Sequence, residues 1–344
     1  MAFEQYQIIA REFFRREQFM SWAWLVLAWN TLCRHDNLKS LGFHMLHVSQ
    51  DTIRTEFDRT KTNSSAQQSL SESNPKHVFA NPTCPEICPY LALAIWLASS
   101  PRDGADVDVE LVFPSGDSAH QAFQRQLKAL LADPDVQVQL MAVGWSTSLN
   151  ILSHSTRKGA ATFIAGSDCT GGWLVAICRR GDWSINQVLD AYIKCTVGGD
   201  QTIGRVASGL DPNGFDFGAL PPHFLPGNQE IVRKVLAALW GSGPTAMWRF
   251  EGGRMEPLLQ RLAASLVFDP WVDTTTNLHE PNPGTVFHEH GTLRKSVAQF
   301  IMYSVHSHPP GSTMTGLLSA WTGFGAKMPH GEVGMPVTPT RDRT

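Results

Sequence analysis

Apolar residues recur at helical spacing through the start of the chain. Residues 3–32 place apolar side chains three and four positions apart, with the charges of Arg11, Glu12 and Arg15 between them, a pattern typical of helices with a buried face. The richest apolar run, residues 19–32, is shorter than the roughly 20 apolar residues that span a bilayer. Arginines stand on both sides of it. The run therefore predicts a buried helix rather than a membrane span or a signal peptide.

A second pattern predicts a β-hairpin. Residues 51–58 and 77–80 are rich in β-prone side chains, and the stretch 62–75 between them is polar, with many Ser, Gln and Asn residues. This arrangement is typical of a strand, a long tip and a return strand.

Helical spacing returns further along the chain. The segments that show it are residues 86–99, 118–131, 155–166 and 173–180. Residues 184–187 read Ser-Ile-Asn-Gln, a capping-box pattern that predicts a helix beginning at Ser184 and carrying Tyr192. Together these elements predict a mainly α fold with a small antiparallel β-sheet, of the α+β class.

Composition changes after Lys194. Residues 198–227 contain seven glycines and four prolines, which favours a linker or an extended arm. Helical patterns then resume at 228–240, 255–267 and 293–304. We therefore expect a first domain over residues 1–197, a linker or arm over 198–227, and a helical C-terminal extension of unknown role over 228–344.

Composition and charge exclude some classes of protein. With 42% hydrophobic and 17% charged residues the chain is globular. Its net charge of −3 is not that of a strongly basic nucleic-acid binder, so charge alone does not indicate DNA. The six cysteines lack the spacing of a disulfide framework. A zinc site at Cys84 and Cys88 is disfavoured because only His77 lies near them in the sequence.

One short segment carries residues suited to phosphate chemistry. His154 and Arg157 are three positions apart at the start of a predicted helix and can face the same ligand. An imidazole can move a proton near neutral pH, and a guanidinium forks onto phosphate oxygens. The pair alone is a weak signal, because most such pairs lie on helix surfaces.

The flanking sequence makes the signal specific. An arginine, a lysine, the His-x-x-Arg segment, a tryptophan and a tyrosine follow one another in the order Arg34, Lys61, His154, Arg157, Trp183 and Tyr192. In order and spacing this set resembles the tyrosine recombinases, and within them the Crypton class of eukaryotic mobile elements. The resemblance covers about residues 1–200 and implies the catalytic-domain fold of that family.

The resemblance implies a role for each of these residues. Tyr192 would attack a DNA phosphodiester and form a 3′-phosphotyrosine. Arg34 and Arg157 would stabilise the charge that gathers on the phosphate, and Trp183 would support it with its indole N–H. Lys61 would protonate the departing 5′-oxygen, and His154 would handle the proton of the tyrosine.

The same resemblance implies the partners and the setting. The substrate would be double-stranded DNA, acted on by a homo-oligomer, without metal, ATP or another cofactor and without a membrane. The location would be intracellular and nuclear. The histidine clusters at 288–290 and 306–308 are disfavoured as metal sites because such short clusters on loops are usually solvated.

Two departures from the family keep alternatives open. Asn37 stands where the family often has an acidic residue, beside Asp36. Only 33 residues precede Arg34, so we expect no separate N-terminal core-binding domain in this chain. The alternatives are a non-catalytic DNA-binding protein derived from a recombinase, and an enzyme that only relaxes supercoils in the manner of a type IB topoisomerase.

Overall fold

A computed structural model gives the fold of the chain. It describes residues 1–57, 74–100, 111–146, 151, 153–167, 174–183, 197–224, 227, 229–240, 255–268 and 305–306.

The described residues are mainly helical. In chain order the α-helices are α1 Phe3–Arg15, α2 Phe19–Thr31, α3 His35–Lys39, α4 Pro89–Ser99, α5 Gly116–Ala132, α6 Pro134–Ala142, α7 Ser153–Gly166, α8 Leu174–Arg180, α9 Val197–Ala207, α10 Gln229–Trp240 and α11 Glu256–Phe268. Short 3₁₀ turns are found at Phe43–Met45, Pro85–Ile87 and Phe215–Gly218.

The strands within the described residues form two small antiparallel sheets. The first has the order β1 Leu46–Ser49, β2 Thr52–Thr55 and β3 Lys76–Val78. Its register places Val48 opposite Ile53, and Ile53 opposite Val78. The second pairs β4 His223–Phe224 with β5 Val305–His306. The expected fold class, mainly α with a small antiparallel sheet, is confirmed.

Helix α2 lies at the centre of the core. It is buried on nearly every side from Ser21 to Thr31 and packs against α1, α4, α5 and α7. This burial explains why its sequence is apolar throughout rather than on one stripe. Helix α1, in contrast, buries one face, which carries Tyr6, Ile9 and Phe13. The apolar pattern of residues 3–32 thus corresponds to two helices, which are separated by Arg16–Gln18.

The expectation of a linker or arm over residues 198–227 is wrong in its first part. Residues 197–207 form α9, which is buried from Asp200 to Ala207 and packs against β3, α2 and α7. A side chain at Gly204 would collide with the carbonyl oxygen of His77. This glycine therefore permits close packing of α9 on β3 and does not mark a flexible segment.

The other helices predicted from the sequence agree well with the structure. Those expected at 155–166 and 173–180 are α7 and α8, and those expected at 228–240 and 255–267 are α10 and α11. The helix expected at 293–304 lies outside the described residues. Helix α11 packs on α4 and β1, so this part of the C-terminal extension contributes to the same core.

None of the helices in the described part of the chain is long and apolar enough to cross a membrane.

Candidate phosphate-binding site

Four of the six residues singled out in the sequence line one cavity of about 630 Å³. They are Arg34, His154, Arg157 and Trp183. They come from three separate parts of the chain, so the cavity exists only in the folded protein. Its other walls are formed by Lys158, Ala161, Thr162, Ala165, Leu174 and Ile177.

The end of α2 brings Arg34 to the cavity. Leu32 is fully buried and has a left-handed backbone with φ of 51°, a conformation that an L-residue adopts only when its surroundings hold it there. The chain turns at this point, and Arg34 takes an extended conformation as the N-cap residue of α3. Its side chain is therefore attached to the central helix through a short, fixed turn.

The first turns of α7 supply His154 and Arg157. His154 is exposed, whereas Arg157 keeps only 9% of its surface accessible. Both line the cavity, as expected for positions three apart on a helix. The structure therefore brings the exposed imidazole and the buried guanidinium to the same space.

Two of the three nitrogens of the buried Arg157 guanidinium lack a hydrogen-bond partner among the described residues. They are Nε and Nη2. Burial lowers the pKa of Arg157, and the nearby positive charge of Arg34 lowers it further. Two neighbouring guanidinium groups, one of them with unsatisfied donors, form a site suited to an anion, and a phosphate presents the matching acceptors.

A tight turn at the end of α8 holds Trp183. The backbone N–H of Gly181 donates to the carbonyl of Ile177 at 2.9 Å, and that of Trp183 donates to Cys178 at 2.8 Å. Asp182, between them, has φ of 51°. A side chain at Gly181 would lie 3.0 Å from the indole. The turn fits the sequence Gly-Asp-Trp because glycine leaves room for the ring and aspartate tolerates the left-handed backbone.

A buried ion pair that sequence reasoning missed lies beside this turn. The ammonium of Lys76, on β3, contacts both carboxylate oxygens of Asp182 at 3.0 and 3.2 Å. The thiol of Cys33 is close enough for its pKa to respond to Lys76, Arg157 and Asp182, although burial dominates and raises that pKa to about 11. No sequence signal could have identified the pair, because its members are 106 positions apart.

A second missed residue is Arg180, which is fully buried. Its Nη1 donates to Oδ1 of Asp200 at 2.6 Å, and its Nη2 donates to the carbonyls of Asn30 at 2.7 Å and His77 at 2.9 Å. Asp200 in turn contacts Nδ1 of His77 at 2.9 Å. These bonds join α8 to α2, β3 and α9, and thereby fix the base of the Trp183 turn.

The two remaining predicted residues, Lys61 and Tyr192, lie outside the described residues, as does the helix expected from Ser184. Lys61 falls in the connection between β2 and β3, and Tyr192 falls between Trp183 and α9. Asn37 is buried, and the neighbouring carboxylate of Asp36 pairs with Lys39 at 2.9 Å.

The described part of the chain contains no cluster of potential metal ligands. There, no three His, Cys, Asp or Glu side chains lie together where they could hold a metal ion. His77 contacts Asp200, and the Sγ atoms of Cys84 and Cys88 accept from Gln7 and from the backbone of Asn81. The cluster at 288–290 lies outside the described residues.

Comparison with known proteins adds no family assignment: no protein-family model, no curated protein and no solved structure matches the chain.

Proposed function

We propose that the chain cleaves and rejoins DNA strands through a 3′-phosphotyrosine at Tyr192, as the resemblance to tyrosine recombinases implies. The substrate is double-stranded DNA, and the acting species is a homo-oligomer on that DNA. The reaction is the site-specific recombination or integration of a mobile element in the nucleus, and it uses neither metal nor ATP.

One observation carries this proposal: Arg34 and Arg157 line the same cavity, and two nitrogens of the Arg157 guanidinium have no partner among the described residues. Buried guanidinium donors without acceptors are unfavourable unless a ligand supplies the acceptors. His154 and Trp183 line the same cavity, and an imidazole can move a proton there while an indole N–H can support a phosphate oxygen. The cavity thus supports the proposal at four of the six residues that the resemblance singles out.

The proposed reaction exchanges one phosphate ester for another. The phenolate oxygen of Tyr192 attacks phosphorus, the bond from phosphorus to the 5′-oxygen breaks, and that oxygen leaves with a proton from Lys61. Arg34 and Arg157 stabilise the added charge on the non-bridging oxygens. His154 accepts the phenol proton. Attack by a DNA 5′-hydroxyl on the phosphotyrosine reverses these steps, so the energy of the broken bond is conserved.

A suicide substrate tests the proposal. A duplex with a nick just downstream of the cleaved phosphate loses its short 5′-hydroxyl fragment after cleavage, so the covalent adduct accumulates. We expect an adduct with the unmodified chain and none with Tyr192→Phe, which lacks only the attacking oxygen.

Tyr90→Phe is the matched control. Tyr90 is fully buried and donates to the carbonyl of Asp51 at 3.3 Å, so it cannot reach DNA and its loss should leave adduct formation intact. DNA binding without an adduct would instead support the non-catalytic alternative. Relaxation of supercoiled plasmid without strand exchange would support the topoisomerase-like alternative.

A further inference from the structure

The ion pair between Lys76 and Asp182 is buried, unlike an ion pair on the protein surface. The two side chains keep 2% and 10% of their surface, respectively. The ammonium also lies 5.4 Å from the centroid of the Phe57 ring. Removing two charges from water often opposes folding more than their attraction favours it. The burial of the pair therefore does not by itself show that its role is to stabilise the fold.

The position of Asp182 indicates a second role for the ion pair. It precedes Trp183, whose ring packs on the guanidinium of Arg157 with 4.9 Å between the ring centroid and Cζ. The negative charge of Asp182 raises the pKa of the Arg157 guanidinium against the effects of burial and of Arg34. A carboxylate that is not otherwise paired and can reach an unsatisfied guanidinium commonly forms a two-bond pair with it. Here both carboxylate oxygens instead accept from Lys76.

We propose that Lys76 is a positioning residue that occupies the carboxylate of Asp182 and thereby keeps Arg157 free to bind the substrate phosphate. The proposal rests on the proposed function in one respect, namely that Arg157 binds a phosphate. Lys76 itself does not touch the substrate. It prevents an internal anion from competing with the DNA.

The competing explanation is that the pair only attaches the Trp183 turn to the sheet. That attachment has a second basis, because Arg180 at the start of the same turn donates to the carbonyl of His77 on β3 at 2.9 Å. Loss of the ion pair should therefore leave the turn joined to the strand. The two explanations differ in what they predict when both charges are removed.

A double-mutant cycle separates them, with inorganic phosphate as the probe and calorimetric titration of the full-length chain as the measurement. Lys76→Met frees the carboxylate, which then pairs with Arg157, and phosphate affinity should fall roughly tenfold or more, the worth of a charge-assisted contact. Asp182→Asn should bind phosphate at least as tightly as the unmodified chain. The double variant should recover the affinity that Lys76→Met loses, because no carboxylate remains to compete.

A purely structural pair predicts the opposite for the double variant, whose phosphate affinity should stay as low as that of the worse single variant. That result, or unchanged affinity in Lys76→Met, overturns the inference. If Lys76→Met fails to fold, the double variant decides alone, because it buries neither charge. Affinity at or above that of the unmodified chain supports the inference, and lower affinity overturns it.

Adduct formation on the nicked duplex distinguishes this inference from the proposed function. If the phosphate affinities follow the expected pattern but the unmodified chain forms no adduct, the role of Lys76 is supported and strand cleavage is overturned. Adduct formation with no phosphate binding, or with full activity in Lys76→Met, would retain strand cleavage and overturn the role of Lys76.

Discussion

The guanidinium carbon of Arg157 lies 4.9 Å from the centroid of the Trp183 ring. A cation over an indole face is attracted by about 0.5–2 kcal/mol, depending on desolvation. This contact orients the guanidinium without using its N–H groups, and Nε and Nη2 have no other partner among the described residues. Arg157 thus offers buried donors whose direction is set before the substrate arrives.

Replacement of Arg157 by lysine should therefore slow cleavage although it keeps the charge. An ammonium cannot present two parallel donors or stack on the indole in the same way. We expect a loss of about 10²–10³-fold in the cleavage rate, the range found for a lost transition-state donor. Single-turnover kinetics on the nicked duplex measure it. Arg125→Lys, on the exposed face of α5, is the matched control, and an equal loss there would show that the effect is not specific to the site.

Lys61→Ala should be rescued by a chemical change in the DNA. If Lys61 protonates the departing 5′-oxygen, a substrate with sulfur at that bridging position should be cleaved at nearly the rate of the unmodified enzyme, because a thiolate leaves without a proton. Arg157→Ala should gain nothing from the same sulfur. Rescue of Arg157→Ala but not of Lys61→Ala would show that the two roles are exchanged.

Cleavage should survive excess EDTA. In other phosphoryl-transfer sites Mg²⁺ neutralises the charge that develops on the phosphate, and here Arg34 and Arg157 line the cavity where that charge would lie. The measurement is the adduct yield with and without chelator. Activity lost in EDTA and restored by added Mg²⁺ or Zn²⁺ would contradict the arginine-based mechanism and direct attention to the histidines at 288–290.

Asp200→Asn should destabilise the fold. The carboxylate accepts from Arg180 and contacts His77 in the core, so its loss leaves a buried guanidinium short of its counter-ion, at about 3–5 kcal/mol for a broken buried pair. Urea unfolding measures the change. Asp36→Asn, an exposed carboxylate paired with Lys39, should change the free energy of unfolding by only about 0.5 kcal/mol. A similar small effect at Asp200 would contradict its structural role.

The same carboxylate predicts a loss of stability in acid. Burial acts to raise the pKa of Asp200, but Arg180 and His77 more than offset it and hold the pKa below its ordinary value. The unfolded chain therefore binds a proton there at a higher pH than the folded chain does. The stabilisation is complete above the ordinary carboxyl pKa of about 3.9 and is lost as the pH falls below it. Asp200→Asn should flatten this part of the stability profile.

The sequence predicted local elements better than it predicted their packing. Helices α7 and α8 follow from helical spacing, and the placement of His154 and Arg157 on one face follows from α7. The glycines of residues 198–207 led to the wrong prediction of a linker, because Gly204 instead allows α9 to approach the carbonyl of His77. That need is visible only when β3 lies beside α9.

The candidate site shows the same difference between what local sequence predicts and what tertiary packing determines. The order of residue types along the chain indicated Arg34, His154, Arg157 and Trp183, and the structure places all four around one cavity. Lys76 with Asp182, and Arg180 with Asp200, could not be found in this way, because each pair joins residues from different elements. Sequence patterns identify residues by type and spacing, whereas the partners that hold them depend on the tertiary fold.

The most direct test of strand cleavage identifies the residue that carries the DNA in the trapped adduct. Trypsin cleaves after Arg180 and Lys194 and releases the peptide 181–194, in which Tyr192 is the sole tyrosine. After nuclease digestion of the adduct, tandem mass spectrometry should find a nucleotide 3′-phosphate on Tyr192 of this peptide. A nucleotide on Ser184 or on a peptide that contains Tyr90 or Tyr303 would contradict the account, as would a complete absence of covalently bound nucleotide.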